Sequence, residues 1–284
     1  MLKGYLARKW TNLIGNGLAL LCVIAAIIPL GAMLFYVLQQ GGSSLDLNFF
    51  TQLPKPEGET GGGMAGDILG TLLLIGLASC IGLPIGILGG IYLARSSNLG
   101  FSRMVRFVTD VIAGTPSIVA GVVAYALVVI PTGTFSAKAG AVALGILMFP
   151  TVTRATEETI KLVPPSIREA ALALGVPEWK AMVRVILPAA TNGIVTAIML
   201  GIARVAGETA PLYLTVLGSS TFPNTLNGPI GALPVEIWHY AQSPYPDLHR
   251  QAWAGAFVLF SIIVILNLAA RVLTFRLSNR VSAG

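Results

Sequence analysis

The sequence predicts an all-α, polytopic membrane protein with six transmembrane helices. Composition comes first: of 284 residues, 55% are hydrophobic and 11% charged, whereas soluble domains carry about a quarter of their residues as Asp, Glu, Lys and Arg. The second observation is a set of long uncharged runs, at 10–45, 68–94, 111–137 and 209–235, with shorter ones at 139–153, 185–203 and 251–270. A bilayer core about 30 Å thick takes about 20 helical residues. The third is the placement of basic residues, which alternates across those runs as the positive-inside rule requires. Together they exclude a soluble enzyme, a disordered chain and a fibrous repeat.

The six spans are expected at about 17–38, 68–94, 111–130, 134–152, 191–217 and 254–274. The first opens after Lys3, Arg8 and Lys9; its apolar run is longer than a secretory h-region and reads as a retained anchor. The second contains Gly82-Leu-Pro84-Ile-Gly86 and Gly89-Gly90, small residues that suit close helix packing or a hinge. The third carries Thr115-Pro116-Ser117, where proline removes a backbone bond and the hydroxyls can satisfy freed groups. The fourth is short, with Pro150 near its end. The fifth contains Arg204 and Glu208. The second half of run 209–235 holds Pro223, Pro229 and Pro234 among Ser, Thr and Asn, which is loop chemistry and no seventh span.

With this map, Lys3, Arg8, Lys9, Arg95, Arg103, Arg106, Arg154, Lys161, Arg168, Lys180, Arg184, Arg271, Arg276 and Arg280 share one side, 14 of 18 basic residues. Both termini are therefore expected in the cytoplasm. The net charge of +6 then reports membrane orientation, and nucleic acid drops out as a partner. The chain divides into an N-terminal part (1–64: first span and external loop), a transmembrane domain (65–278) with a cytoplasmic loop at 154–188, and a tail (279–284). Residues 39–66 read as an external loop with no packed domain, and 218–252 as a second, with a short helix at 231–241 carrying Ile237, Trp238 and Tyr240, and Asp247 as N-cap of the sixth span.

Cys22 and Cys80 read as small buried hydrophobes, and His239 and His249 as solvated loop residues. No cluster has metal-ligand spacing, no nucleophile–base motif is present, and no Gly-x-x-x-x-Gly-Lys-[Ser/Thr] loop offers a nucleotide site. The expected set of catalytic and metal-binding residues is empty.

The loop 154–188 is the most informative stretch. Pro164-Pro165 breaks the preceding helix, and Ser166-Ile-Arg-Glu169 fits a capping box with Ser166 at N-cap. Ala170 to Leu174 favour helix, Gly175 suits the C′ position, and Pro177 can open a second helix running to Pro188. By periodicity alone this hairpin is an interfacial element or a docking element for a partner. Two Arg–acid pairs stand at i,i+4. Arg106–Asp110 reads as an ordinary helix-end salt bridge. Arg204–Glu208, inside a span, reads as a structural ion pair or as an anion-handling site, because a guanidinium fork matches an oxyanion bidentately.

Glu169-Ala170-Ala171, Gly175 and Val185-x-Leu187-Pro188 resemble the EAA motif of ABC-transporter permeases. With Thr115-Pro-Ser-Ile-Val-Ala-Gly121, Arg154-Ala-Thr-Glu-Glu158 and Arg204-Val-Ala-Gly-Glu-Thr-Ala-Pro211, roughly 65–275 resembles the PstA-type permeases of bacterial phosphate importers; PstC-type sisters carry similar motifs. Val185 stands where Ile is usual. The resemblance implies a type I ABC-importer fold in the bacterial inner membrane. It implies a second homologous permease, an ATPase dimer holding ATP and Mg, and a periplasmic phosphate-binding protein as partners, with no cofactor on this chain. The implied path residues are Arg204, Glu208, Thr209, Thr115 and Ser117; the implied ATPase-coupling residues are Glu169, Ala170, Ala171, Gly175, Leu187 and Pro188. A permease for molybdate or sulfate, a partner-free secondary anion transporter and a structural scaffold are the competing readings.

Overall fold

A computed structural model describes residues 2–42, 45–96 and 99–281. The helices are α1 (Leu2–Gly42), α2 (Leu47–Thr51), α3 (Ala65–Arg95), α4 (Leu99–Gly114), α5 (Ser117–Ala124), α6 (Ile130–Thr132), α7 (Ala137–Lys161), α8 (Pro165–Ala173), α9 (Glu178–Ala181), α10 (Leu187–Ala206), α11 (Ala210–Tyr213), α12 (Leu233–Gln242) and α13 (Pro246–Val281). A π-helical segment, Tyr125–Val129, joins α5 to α6, and another, Met182–Ile186, joins α9 to α10. Strand-like pairing among the described residues is limited to one isolated bridge, Leu217 with Ile230. Among the described residues five helices are long and apolar enough to cross a membrane, and a sharply bent pair brings the number to six where it is counted as one span.

The core forms where α3 lies along α7. Gly82, Gly86 and Gly90 fall on one face of α3 at four-residue spacing, opposite Met148, Val152 and Thr156 at the same spacing on α7. A Cβ on Gly86 would stand 2.7 Å from Val152 Cβ, and one on Gly90 would stand 2.6 Å from Thr156 Cβ. The glycines therefore serve backbone approach, the small-residue packing that membrane helices use when burying apolar surface yields no gain over lipid. Ala139, Gly140, Ala141, Ala143 and Gly145 give α7 a slim profile among its neighbours, and it is the most buried of the spans.

Three expected spans shift. The fourth, expected at 134–152, runs from Ala137 to Lys161, because its charged end is neutralised inside the protein. The third, expected as one helix over 111–130, is bent by 104° between Gly100–Gly114 and Ser117–Thr132. Pro116 cannot donate a backbone bond, and the turn is so sharp that α4 becomes a separate helix. Its exposed face holds Phe101, Met104, Phe107, Val108 and Val111, and its inner face Ser102 and Thr109. The fifth, expected at 191–217, lies instead within one helical run, Glu178–Ala206. Residues 207–217 form a break, α11 and a turn.

At the N-terminal end, α1 meets the body near its C-terminus, where Tyr36 packs edge-on against Trp253 at 4.9 Å. Its apolar middle is exposed. In the loop after α1, Asp46 caps α2 through Phe49 N–H (2.8 Å), and Phe49 is buried. The helix at 233–242 appears as expected. Asp247 sits inside the first turn of α13 and not at the expected N-cap, because the helix already starts at Pro246; its Oδ2 accepts from Gly61 N–H at 3.2 Å, tying residues 61 and 247 together. Cys22 and Cys80 are exposed on the outer faces of their helices: apolar spans place hydrophobes outward as readily as inward. The side chains of Lys3, Arg8, Arg276 and Arg280, and residues 282–284 of the expected tail, lie outside the described residues.

Candidate functional site

Two interrupted spans meet. On one side, α5 begins at Ser117, just after Pro116; on the other, α10 stops at Ala206, with Gly207 as its C-cap. Gly121 allows the contact: a Cβ there would lie 2.7 Å from Pro211 Cα. Beside this crossing is a largely apolar cavity of about 320 Å3 lined by Ile118, Thr209, Ala210, Tyr213, Leu214 and Trp238. Thr209 donates weakly to the Pro234 carbonyl at 3.4 Å, which links the break to α12. His239 of α12 stacks edge-on to Tyr213, with centroids 5.8 Å apart, and approaches Glu236 at 3.4 Å. On the same helix, burial and then nearby Glu236 push the Tyr240 phenol above its ordinary range.

The break decides the state of Arg204 and Glu208. An i,i+4 pair needs continuous helix between its members. Here the helix ends between them, and Glu208 N–H bonds back to the Val205 carbonyl at 3.2 Å. Among the described residues no ion pair joins the two side chains, so the expected pair is corrected. Arg204 is exposed and Glu208 half-buried. Of the other expected path residues, Thr209 lines the cavity and Ser117 is next to its wall at Ile118. The Thr115 hydroxyl donates to the Val111 carbonyl at 2.7 Å, so its proton is turned into its own helix.

The other Arg–acid pair is also rearranged. Arg106 reaches Glu157 on α7 (Nε at 2.9 Å and Nη2 at 2.7 Å from Oε1), while Asp110 pairs with Arg154. Lys161 Nζ lies 2.8 Å from the same Glu157 oxygen, and Arg154 Nη1 is 3.3 Å from the other. Glu157 is wholly buried, and Arg106 also donates to the Leu93 carbonyl at 3.1 Å. One carboxylate thus fastens α4, α7 and the end of α3. Sequence reasoning gave Glu157 no role. Its signal was Arg154, Glu157 and Lys161 at three- and four-residue spacing directly after an apolar run.

The loop 154–188 is a helical hairpin. Its first helix begins at Pro165 with Pro164 as N-cap and no side-chain cap, so the expected capping box from Ser166 to Glu169 is absent; proline at N1 suffices to start the helix. Gly175 terminates it at φ +79°, in open space. Pro177 is the N-cap of the second helix, one residue before the expected N1 position. Glu169 and Ala170 are exposed, whereas Ala171 packs inward. Leu187 and Pro188 lie inside the continuous run Glu178–Ala206. Glu178, which sequence reasoning also missed, binds both Arg168 of α8 and Arg95 of α3, holding the hairpin to the body. An acid in the first turn after Pro177 was its visible trace.

Interrupted spans facing each other and an exposed, uncapped hairpin on a continuous helix define a multi-pass α-helical transport component with the type I ABC-importer fold. Residues 86–282 match the family model described as binding-protein-dependent transport system inner membrane component. The chain belongs to that family. It is 40% identical over 267 residues to a phosphate transport system permease protein PstA of Yersinia pestis, covering 94% of this chain and 90% of that one. A protein of the same description from Haemophilus influenzae is 38% identical, covering 93% and 94%. Among solved structures, a bacterial alginate ABC transporter bound to its pentasaccharide-loaded periplasmic protein matches with a TM-score of 0.65 over 95% of this chain and 96% of that one, at 15% identity. That likeness is one of fold.

Proposed function

We propose that this chain is one permease subunit of an ATP-driven importer of inorganic phosphate. The observation that carries the reading is the unbroken helix Glu178–Ala206. It begins at the exposed hairpin and ends beside Arg204 at the crossing of two broken spans. Its 29 residues span about 43 Å at 1.5 Å each, enough to carry a displacement across a bilayer. The length-wide similarity to phosphate permeases supplies the cargo.

In this mechanism an ATPase dimer holds the hairpin through Glu169, Ala170, Ala171 and Gly175, and ATP and Mg reside on that partner. Nucleotide-driven movement passes through Leu187 and Pro188 to the Arg204 end. A second, homologous permease supplies the other half of the path, and a periplasmic binding protein delivers phosphate from outside. Both termini face the cytoplasm. Arg204, free of a carboxylate, offers a guanidinium fork to the oxyanion, with Ser117 and Thr209 hydroxyls close to the crossing. Glu208 accepts the proton-bearing oxygen of a protonated phosphate; fully ionised sulfate has no such proton to give.

Uptake by the reconstituted complex tests the cargo. Phosphate import should resist excess sulfate and molybdate; equal competition by either anion would move the reading to a broader oxyanion permease. Copurification of the ATPase should be lost on Glu169→Ala. Retention of ATPase and coupling in that variant would contradict the docking assignment.

A further inference from the structure

We infer that the inner side of the cytoplasmic hairpin is a second oxyanion site, one that takes phosphate or a phosphate ester from the cytoplasmic face. A cavity of about 230 Å3 lies between the ends of α3 and α7 and the hairpin, bordered by Arg95, Lys161 and Arg168. Pro164 and Pro165, the uncapped start of α8, form part of its wall, and Met182 and Ile186 are among its apolar residues. Three cations and the positive end of a helix therefore surround one small space.

The acceptors nearby do not use up these donors. Glu178 Oε1 is shared by Arg95 and Arg168, and Arg95 also donates to the Glu178 carbonyl at 3.4 Å. Lys161 lies between Glu158, at 3.3 Å, and Glu157, which also serves Arg106 and Arg154. A guanidinium carries more N–H groups than one shared oxygen can accept, and all are donors only. The ion that completes such a set is an acceptor-only tetrahedral oxyanion. The volume is below the roughly 300 Å3 at which drug-sized sites begin, so it suits an ion or a headgroup. Apolar wall and cationic rim together also fit the phosphate of an anionic lipid, and the shared chemistry is the phosphate group.

Position gives the site a consequence. An anion held there joins α8 to α3 and α7 across the base of the lever, the place where hairpin movement must begin. Binding on the cytoplasmic side would hold the hairpin against the body and slow the cycle. This regulatory consequence rests on the import reading; occupancy of the site does not.

The test uses the assembled transporter in zwitterionic nanodiscs without ATP, so that hydrolysis adds no phosphate. Cys22 and Cys80 are replaced by Ser, and Ala94→Cys, on the cavity wall, reports thiol alkylation by mass spectrometry of its own peptide. Inorganic phosphate, against chloride at equal ionic strength, should slow alkylation about fivefold at about four times its dissociation constant. The effect should saturate, vanish in Arg95→Gln/Arg168→Gln and persist in Arg204→Ala. Protection by phosphatidylglycerol discs without added phosphate would assign the occupant to a lipid headgroup and keep the site. Equal rates under all conditions, protection that survives the double variant, or protection lost in Arg204→Ala would overturn it. Met182→Cys gives the same readout from another wall if Ala94→Cys does not assemble. A wrong cargo assignment would show separately, as phosphate uptake competed away by sulfate or molybdate with the protection intact.

Discussion

Two stretches carry the same sequence device, an arginine followed four residues later by an acid, and the fold treats them in opposite ways. Arg106 and Asp110 stand on an intact helix, yet each binds a residue of α7: Arg106 takes Glu157 and Asp110 takes Arg154. Arg204 and Glu208 are separated by the end of their helix and bind neither each other nor another charge among the described residues. The first arrangement consumes its charges in holding three helices together. The second leaves a cation available, which is costly inside a membrane unless the charge meets water, a partner chain or a ligand. Spacing shows that two side chains could meet. The course of the backbone and the neighbours within reach decide whether they do.

The comparison breaks most readily at Glu157. Glu157→Ala would leave Arg106, Arg154 and Lys161 without their shared partner and should destabilise the fold by about 3 kcal/mol, the low end for a broken buried pair because the cations are partly exposed. Thermal unfolding of the purified complex in detergent reads this; an unchanged midpoint would mean the cluster is not structural.

Next in size is the packing that brings α3 to α7. Gly86→Val places side-chain atoms into Val152 and should cost about 2 kcal/mol by overpacking, with Gly76→Ala, which has open space at its Cβ, as the control. Equal stability of the two variants would remove the close-approach account.

Arg204→Ala should behave in the reverse manner. Loss of a charge-assisted contact worth about 2 kcal/mol slows transport roughly 30-fold, while the unfolding midpoint stays at the parent value because the side chain has no protein partner to lose. The smallest effect is expected for Asp110→Asn: its pair with Arg154 is exposed, and such pairs contribute about 0.2–1 kcal/mol. A drop as large as that of Glu157→Ala would mean that Asp110 shares the buried network fully.

Much of this architecture was legible in the residues. Uncharged runs marked the long apolar helices and the bent pair. Pro164-Pro165, Gly175 and Pro177 gave a two-helix hairpin, and the glycines of α3 gave close packing. What escaped has a common cause. Pro116 announces an interruption, but the 104° angle depends on where α4 finds partners, and those lie on α7 and α3. Just past the end of α10 at Ala206, Thr209 bonds to Pro234 of α12 and Pro211 packs on Gly121 of α5, contacts far apart in sequence. Glu157 and Glu178 went without a role because their several basic partners come from different helices. Arg204 was visible as a charge in an apolar run, and its lack of a partner was not.

The central claim is that Arg204 is held in reserve for the cargo while Arg106 and Arg154 are held for the fold. The most direct measurement is phosphate uptake per assembled complex for Arg204→Ala and Arg204→Lys beside Arg154→Ala, with the unfolding midpoint of each. The account predicts uptake slowed about 30-fold in Arg204→Ala, partly restored in Arg204→Lys, and a midpoint lowered only in Arg154→Ala. An Arg204→Ala complex that assembles fully and imports phosphate at the parent rate would contradict it.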